Sequence, residues 1–178
     1  MAERDRWQST EGDDESGPGH SHIASLRSKD SQIRRRAREA LTRQGPAALR
    51  ELVPLMTVPE EDVRCEAVRA LADIAHPSTT PDLVAALEDA SGEVRLLAAV
   101  GLVAIGPAAL IPLLHVLHER PDSASLREGT HHVLHQLVDA DLKKVLTPVL
   151  EALAAGVPLP ALRECIQSAS TKLRDLRP

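Results

Sequence analysis

Histidines are concentrated in one short stretch of the chain, where they could bind a metal ion. Five of the eight histidines lie between His115 and His135. His131 and His135 are four residues apart, so on a helix they can place two imidazoles on one metal ion, with the carboxylate of Glu128 as a third ligand. No cysteine lies nearby, and the HExxH spacing that would supply a general base is absent. We therefore expect neither a metal site nor a cofactor, and we interpret these histidines as surface or interface groups.

Basic residues form a second cluster, between Arg27 and Glu51, where eight Lys and Arg side chains stand against three Asp and Glu. Such a cluster could contact phosphates or an acidic protein surface. Phe and Tyr are absent, and the single tryptophan, Trp7, lies near the N-terminus. The aromatic side chains on which nucleobases stack are thus missing. Binding of nucleic acid through the basic cluster is an alternative that the composition does not favour.

The elements that carry these residues follow from a repeat. A hydrophobic residue followed by Arg recurs five times, at spacings of 30, 31, 32 and 36 residues: Ile33-Arg34, Val63-Arg64, Val94-Arg95, Leu126-Arg127 and Leu162-Arg163. A period in this range indicates one supersecondary unit stacked on itself. Apolar or small residues follow at offsets 4, 7 and 8, which predicts an amphipathic helix in each unit. We predict these helices over residues 31–44, 60–75, 91–105, 123–138 and 159–176.

Each unit is predicted to be a helical hairpin, because a turn and a shorter leading helix separate successive hydrophobic–Arg helices. The pentapeptide Gly-Pro-Ala-Ala-Leu occurs at residues 45–49 and again at residues 106–110. Glycine just past the end of one helix, followed by proline in the first turn of the next, is the expected signal for a turn between two helices. The fold class is therefore all-α, an α-solenoid of about five hairpins.

The chain divides into a short tail and one domain. Residues 1–22 hold six acidic and two basic residues among Gly, Pro and Ser, so we predict a disordered acidic tail, followed by a repeat domain over 23–178. We expect no apolar run long enough to cross a membrane, and therefore neither a secretory signal peptide, a membrane span nor any contact with a membrane. Cys65 and Cys165 belong to distant units, which predicts two reduced thiols and favours a cytoplasmic protein.

The pattern resembles the HEAT-like repeat family, specifically the short variety found in phycobilin lyase subunits. The matching residues are clearest in Asp62-Val63-Arg64-Cys65-Glu66-Ala67-Val68-Arg69-Ala70-Leu71. The resemblance implies a right-handed superhelix in which the hydrophobic–Arg helices line the concave face. It also implies a ladder of those arginines with acidic residues of the turns, in which Asp89 pairs with Arg95, Asp122 with Arg127, and Glu60 or Glu61 serves the second unit.

The outward face of these helices is predicted at offsets 3, 6 and 10. In the first two units this face is charged, with Arg36, Glu66 and Arg69, whereas in the third it becomes apolar, with Leu97 and Val100. His132 of the fourth unit extends it. An apolar spot between charged rows is typical of a site that binds a protein partner. A helix phase that is wrong by one residue would remove this site, and we keep that alternative open.

The sequence thus predicts a protein-interaction module or scaffold subunit that is not an enzyme. Its site would consist of Leu97, Val100, Glu66, Arg69, Arg36 and His132, and its partner is a protein whose identity the sequence does not give. No phosphate-binding loop or nucleophile elbow is present. The alternatives are a phycobilin-lyase-like enzyme, a histidine–metal enzyme built on His131, His135 and Glu128, and a protein that binds phosphate backbones through the first unit.

Overall fold

The computed structural model describes residues 18–139 and 142–176 of the chain. Most of the segment predicted to be disordered lies outside these residues. The first helix begins at Pro18, so the last five residues of the predicted tail are helical. Proline fits the first turn of a helix, because its missing N–H would have no partner there.

Ten α-helices follow one another without a strand in the described part of the chain. The leading helices of the five hairpins are α1 (Pro18–Ser25), α3 (Leu49–Leu52), α5 (Thr80–Ala86), α7 (Leu110–Glu119) and α9 (Lys143–Ala155). The second helices, which carry the hydrophobic–Arg pairs, are α2 (Ser31–Gln44), α4 (Glu61–Ile74), α6 (Gly92–Ile105), α8 (Ala124–Leu137) and α10 (Leu159–Asp175). The second helices therefore lie within one residue of the predicted bounds at each end, and the all-α solenoid of helical hairpins is confirmed.

The helix ends have the chemistry that the sequence predicts. Gly45 and Gly106 follow α2 and α6 with φ angles of 59° and 78°, in the left-handed region that glycine enters without strain. Short 3-10 turns at Gly45–Ala48 and Gly106–Ala109 then lead into α3 and α7. At the other ends, the Ser91 and Ser123 hydroxyls accept hydrogen bonds from N–H groups in the first turns of α6 and α8.

The first four hairpins stack in register. Helices α2, α4, α6 and α8 pack in that order, and α5 packs against α7 in the layer of leading helices. The core between the two layers is aliphatic, and its largest fully buried side chains include Leu71, Leu83, Leu102 and Leu126. The handedness of the superhelix stays a prediction.

The fifth hairpin departs from this register. Helix α9 packs against α8, while α10 packs against α7 and α9. The two helices have thus exchanged layers, and the hydrophobic–Arg helix α10 continues the row of leading helices. The Arg163 side chain marks the exchange, since its Nε donates a hydrogen bond to the carbonyl of His118 on α7 at 3.2 Å. The amphipathic pattern of α10 specifies which face is buried, but not the helix against which it packs.

Ile33 of the first hairpin is also a departure, because 43% of its surface is exposed. The equivalent residues of the other pairs, Val63, Val94, Leu126 and Leu162, are buried. The physical reason is the position of α2 at the edge of the described stack. Helix α2 packs against α4 on one side, but no earlier hairpin among the described residues covers its other side, and α1 has only eight residues.

One apolar stretch is longer than we expected. Residues Gly92–Glu119 are long and apolar enough to cross a membrane by length and composition alone, so the expectation that no such stretch exists was wrong. The structure divides it into α6, of 14 residues, and α7, of 10 residues, with Gly106 between them. Each helix is shorter than the roughly 20 residues that a membrane span needs. The stretch is apolar because both helices supply side chains to the core.

Polar contacts link the turns of neighbouring hairpins, in a pattern that corrects the predicted ladder. The Arg64 guanidinium donates to both carboxylate oxygens of Asp89, at 2.9 Å from Nε and 2.9 Å from Nη2. Asp89 therefore pairs with the arginine of the preceding unit and not with Arg95. The Arg95 guanidinium donates instead to the carbonyls of Asp89 and Ala90, six and five residues before it. Arg34 and Arg64 bind the equivalent carbonyls of their own turns.

Candidate functional site

The predicted outward face is charged on α2 and α4, but its residues are not equally accessible. Glu66 is buried: its carboxylate lies 3.6 Å from Arg34 and 3.3 Å from Arg38 on α2. These two contacts are ionic and lack hydrogen-bond geometry, whereas Arg69 donates to the same carboxylate at 3.3 Å. The assignment of Glu66 to an accessible partner site is therefore wrong, because offset 3 faces the preceding helix.

Arg69 and Arg36 lie in different surroundings. Arg69 is half-buried and also donates to Glu93 on α6 at 2.9 Å, so its charge is already paired. Arg36 is exposed, since the position that faces the preceding helix in α4 faces no described helix in α2. It lies two hairpins away from the apolar residues of α6, and the structure does not bring it to the predicted site.

The apolar surface predicted on α6 exists, with a shifted phase. Leu97 is partly buried and packs against the core, so its prediction as an exposed anchor was wrong. Leu96 is 57% exposed and Val100 is 46% exposed. Exposed positions on this helix thus lie at offsets 2 and 6 from Val94, rather than at 3 and 6. We call Leu96 and Val100 the α6 apolar patch.

Leu96 was missed because the sequence offers two adjacent leucines and only one of them can face α4. Successive residues on a helix are about 100° apart, so Leu97 turns toward α4 while Leu96 turns toward solvent. The equivalent positions of other units indicated that this offset is exposed, since Arg35 occupies it in α2. Glu128 and Glu164 occupy this offset in α8 and α10 and are exposed, whereas Cys65 is buried at this offset on α4.

The α6 apolar patch continues into a cleft of about 470 Å³ between α6 and α8. Leu96 and Ala99 supply apolar side chains to the cleft from α6, and a mixed set of groups completes the lining: Gly92, Arg95, Ser125, Glu128, Gly129, His131, His132 and His135. His132, predicted to extend the site, therefore adjoins the patch through this cleft. Gly129 also lets α8 pack closely against the end of α5, because a Cβ on Gly129 would lie 2.8 Å from a methyl of Leu87.

The candidate metal ligands line the same cleft without forming a metal centre. The imidazole rings of His131 and His135 stack with their centroids 6.3 Å apart and their planes at 27°. Glu128, one turn before His131, is exposed. Among the described residues no group of three or more His, Cys, Asp or Glu side chains is arranged to hold a metal ion. The cleft therefore offers apolar side chains, one Arg, one Glu and three imidazoles that can donate or accept hydrogen bonds.

Both cysteines are free thiols, as predicted, and they differ in burial: Cys65 is buried and Cys165 is partly exposed. Burial raises the pKa of the Cys65 thiol to about 11, and the carboxylates of Glu93 and Glu61 add to the shift. We expect one thiol, that of the partly exposed Cys165, to react with a disulfide reagent in the native protein at pH 8. Cys65 should react only after unfolding, because at that pH about one in a thousand of its thiols is ionised.

Counting thiols by absorbance before and after addition of denaturant checks this expectation. A Cys165→Ser variant should show no fast reaction. A rapid reaction of that variant would mean that α4 opens readily around Cys65.

Comparison with known proteins gives the family. The family of HEAT repeats matches residues 22–91 and 49–133, which together span more than half of the chain. No curated protein matches the sequence. The matched region ends within α8, before the hairpin whose helices exchange layers. HEAT repeats generally mediate protein–protein interaction or scaffolding. With its five hairpins, its arginine-linked turns and this match, the chain belongs to the HEAT repeat family.

Proposed function

We propose that this protein is a non-enzymatic interaction module, or the scaffold subunit of a larger assembly, and that it binds a partner protein on the α6 apolar patch. The observation that carries the proposal is the exposure of Leu96 and Val100 side by side on a helix whose neighbours present charges there. Large aliphatic side chains adjacent on a surface cost free energy in water, and that cost is relieved when a partner covers them.

The surroundings of the patch fit a protein partner. On the α4 side the ion pair between Arg69 and Glu93 forms a polar rim. On the α8 side the cleft adds Glu128 and His132. Apolar anchors surrounded by polar groups are the usual anatomy of an interface. Because the patch lies on a helix packed against both α4 and α8, it is preformed, and little ordering entropy is lost on binding.

We also propose that the protein does not catalyse a reaction. The described residues offer no specific observation in favour of a lyase-like or histidine–metal enzyme. The cleft brings together one arginine, one glutamate and three histidines, but these groups are equally suited to hydrogen bonds with a bound peptide. We therefore assign the cleft to the interface, where it would accept side chains of the partner next to the apolar anchors.

Replacing both residues of the patch, as Leu96→Arg with Val100→Glu, should reduce partner capture at least tenfold. Residues at the centre of an interface typically contribute about 2 kcal/mol or more each. Both side chains are exposed in the free protein, so helicity and melting temperature should change little. The measurement is capture of proteins from the native lysate by wild type and variant, quantified by mass spectrometry, with melting followed by circular dichroism.

The matched control is Leu159→Arg with Leu176→Glu, which introduces the same two charged side chains at two exposed leucines of the fifth hairpin. This control should capture the same proteins as the wild type. Equal capture by the patch variant and the wild type would refute the assignment of the interface. A large fall in melting temperature would show that Leu96 and Val100 contribute to packing instead.

A further inference from the structure

The open side of α2 carries a stripe of residues that no described element covers. Ile33, Arg36, Ala40 and Arg43 recur at intervals of three or four residues, so they share one face of the helix. In α4 and α6 the corresponding faces pack against the preceding helix, as the burial of Glu66 and Val63 shows. We call these four residues the α2 end stripe.

The arginines of the end stripe are available for new ion pairs. Arg36 and Arg43 are exposed, and neither forms an ion pair with a carboxylate among the described residues. Arg43 donates only to the carbonyl of Glu39, at 3.2 Å. On the opposite side of α2, by contrast, Arg38 forms ion pairs with Glu66 and with Asp73, the latter at 2.6 Å. Among the arginines of α2, those without a described ion pair thus lie on the open side.

The chain itself supplies an occupant of opposite charge. Residues 1–17 contain six acidic and two basic residues, and four of the acidic ones, Glu11, Asp13, Asp14 and Glu15, lie within five positions. This segment joins α1 at Pro18, and α1 packs against α2. A tether this short gives a local concentration on the order of millimolar, so even weak ion pairs are populated. Trp7 is close enough along the chain to reach Ile33, the apolar member of the stripe.

We propose that residues 11–15 bind along the α2 end stripe of the same molecule, with their carboxylates paired to Arg36 and Arg43 and with Trp7 against Ile33. Terminal repeats of solenoids need a cover for the face that an adjacent repeat would bury. The acidic segment provides that cover and keeps acidic partners from the first hairpin. The inference concerns the opposite end of the stack from the α6 apolar patch and does not depend on the proposed function.

Trp7 makes the test simple, because it is the only tryptophan and the chain has no tyrosine or phenylalanine. Intrinsic fluorescence therefore reports the segment alone. In the full-length wild type the fluorescence anisotropy of Trp7 should be high. It should fall by about half in Arg36→Gln with Arg43→Gln, and also in roughly 1 M salt, where the screening length is about 3 Å. The charge-matched control Lys172→Gln with Arg174→Gln, on the last helix, should leave it unchanged.

Two further measurements make the outcome decisive. Neutralising Glu11, Asp13, Asp14 and Glu15 to their amides should lower the anisotropy as much as the stripe variant does, and should shift the Ile33 methyl resonance. Anisotropy should not change with protein concentration between about 1 and 100 µM, since a tethered segment is already at about millimolar concentration. A loss of anisotropy on dilution would show that a second copy supplies the segment, and anisotropy unaffected by the stripe variant would show that it binds elsewhere or not at all. Either result would overturn the proposal.

Discussion

Replacing Leu102 by alanine should lower the free energy of unfolding by roughly 2–5 kcal/mol. Leu102 is fully buried on α6, a helix that packs against α4, α5 and α8. Truncation removes apolar contacts and leaves a cavity that three packed helices cannot easily close. Urea unfolding followed by circular dichroism measures the loss, and Leu71→Ala on α4 should behave in the same way.

The same helix offers a control for Leu102. Leu96→Ala makes an identical chemical change at an exposed position, and its effect should stay within about 0.5 kcal/mol. If the two variants lost equal stability, Leu96 would belong to the core and the α6 apolar patch would not exist. The comparison therefore tests the helix phase from which the proposed interface is derived.

Arg64→Met is expected to cost about 3 kcal/mol, because it breaks a largely buried ion pair and leaves one partner behind. The Arg64 and Asp89 side chains are only 13% and 12% exposed. The guanidinium also donates to the carbonyls of Val58 and Pro59, at 3.0 and 2.9 Å. One side chain thus joins the turn of its own hairpin to the turn of the next, and methionine keeps its bulk without its hydrogen bonds.

A double-mutant cycle separates the pair from the rest of the turn. Asp89→Asn alone should also destabilise the protein, and the double variant should lose less than the sum of the two single losses. Full additivity would mean that Arg64 acts mainly through the two carbonyls. Urea midpoints of the four proteins at pH 7 and one salt concentration are sufficient.

The same pair should contribute to acid stability. Burial opposes ionisation of Asp89, but hydrogen bonds from Arg64 and from the Ser91 N–H outweigh it and lower the pKa of the carboxyl below its ordinary 3.8. A carboxylate with a lowered pKa stabilises the fold fully above about pH 5, and the contribution is lost as the pH falls through the folded pKa. The stability difference between wild type and Asp89→Asn should therefore shrink between about pH 5 and pH 2.

The sequence predicts the helices of this protein well, because their signals are local. The bounds of α2 and α4 follow from an apolar period and from caps such as Gly45, and neither needs knowledge of a neighbour. Burial of Leu71 and Leu126 follows from the same period. The resemblance to HEAT repeats, carried by the recurring pattern and clearest in residues 62–71, is confirmed by the family match.

Features that depend on neighbouring helices were not predictable in the same way. Leu96 and Leu97 are both apolar, and only the place of α4 decides which is exposed. From the sequence Glu66 was predicted to be a surface carboxylate. It is buried because the arginines of α2, which are distant in the chain, lie beside it. Asp89 has an arginine of its own unit six residues later, yet it pairs with Arg64 because consecutive turns stack. Each error is one of register between units, which the pattern within a unit does not determine.

The exchange of layers in the fifth hairpin determines where another hairpin would fit the register of the described stack. A hairpin inserted after α8 could pack in the order of the first four hairpins. A hairpin packed against α9 and α10 would meet the two layers in exchanged order. Duplication of a hairpin could therefore lengthen the stack among the first four hairpins without a change of register. The two ends of the described stack also differ, since α2 continues the row of second helices whereas α10 continues the row of leading helices.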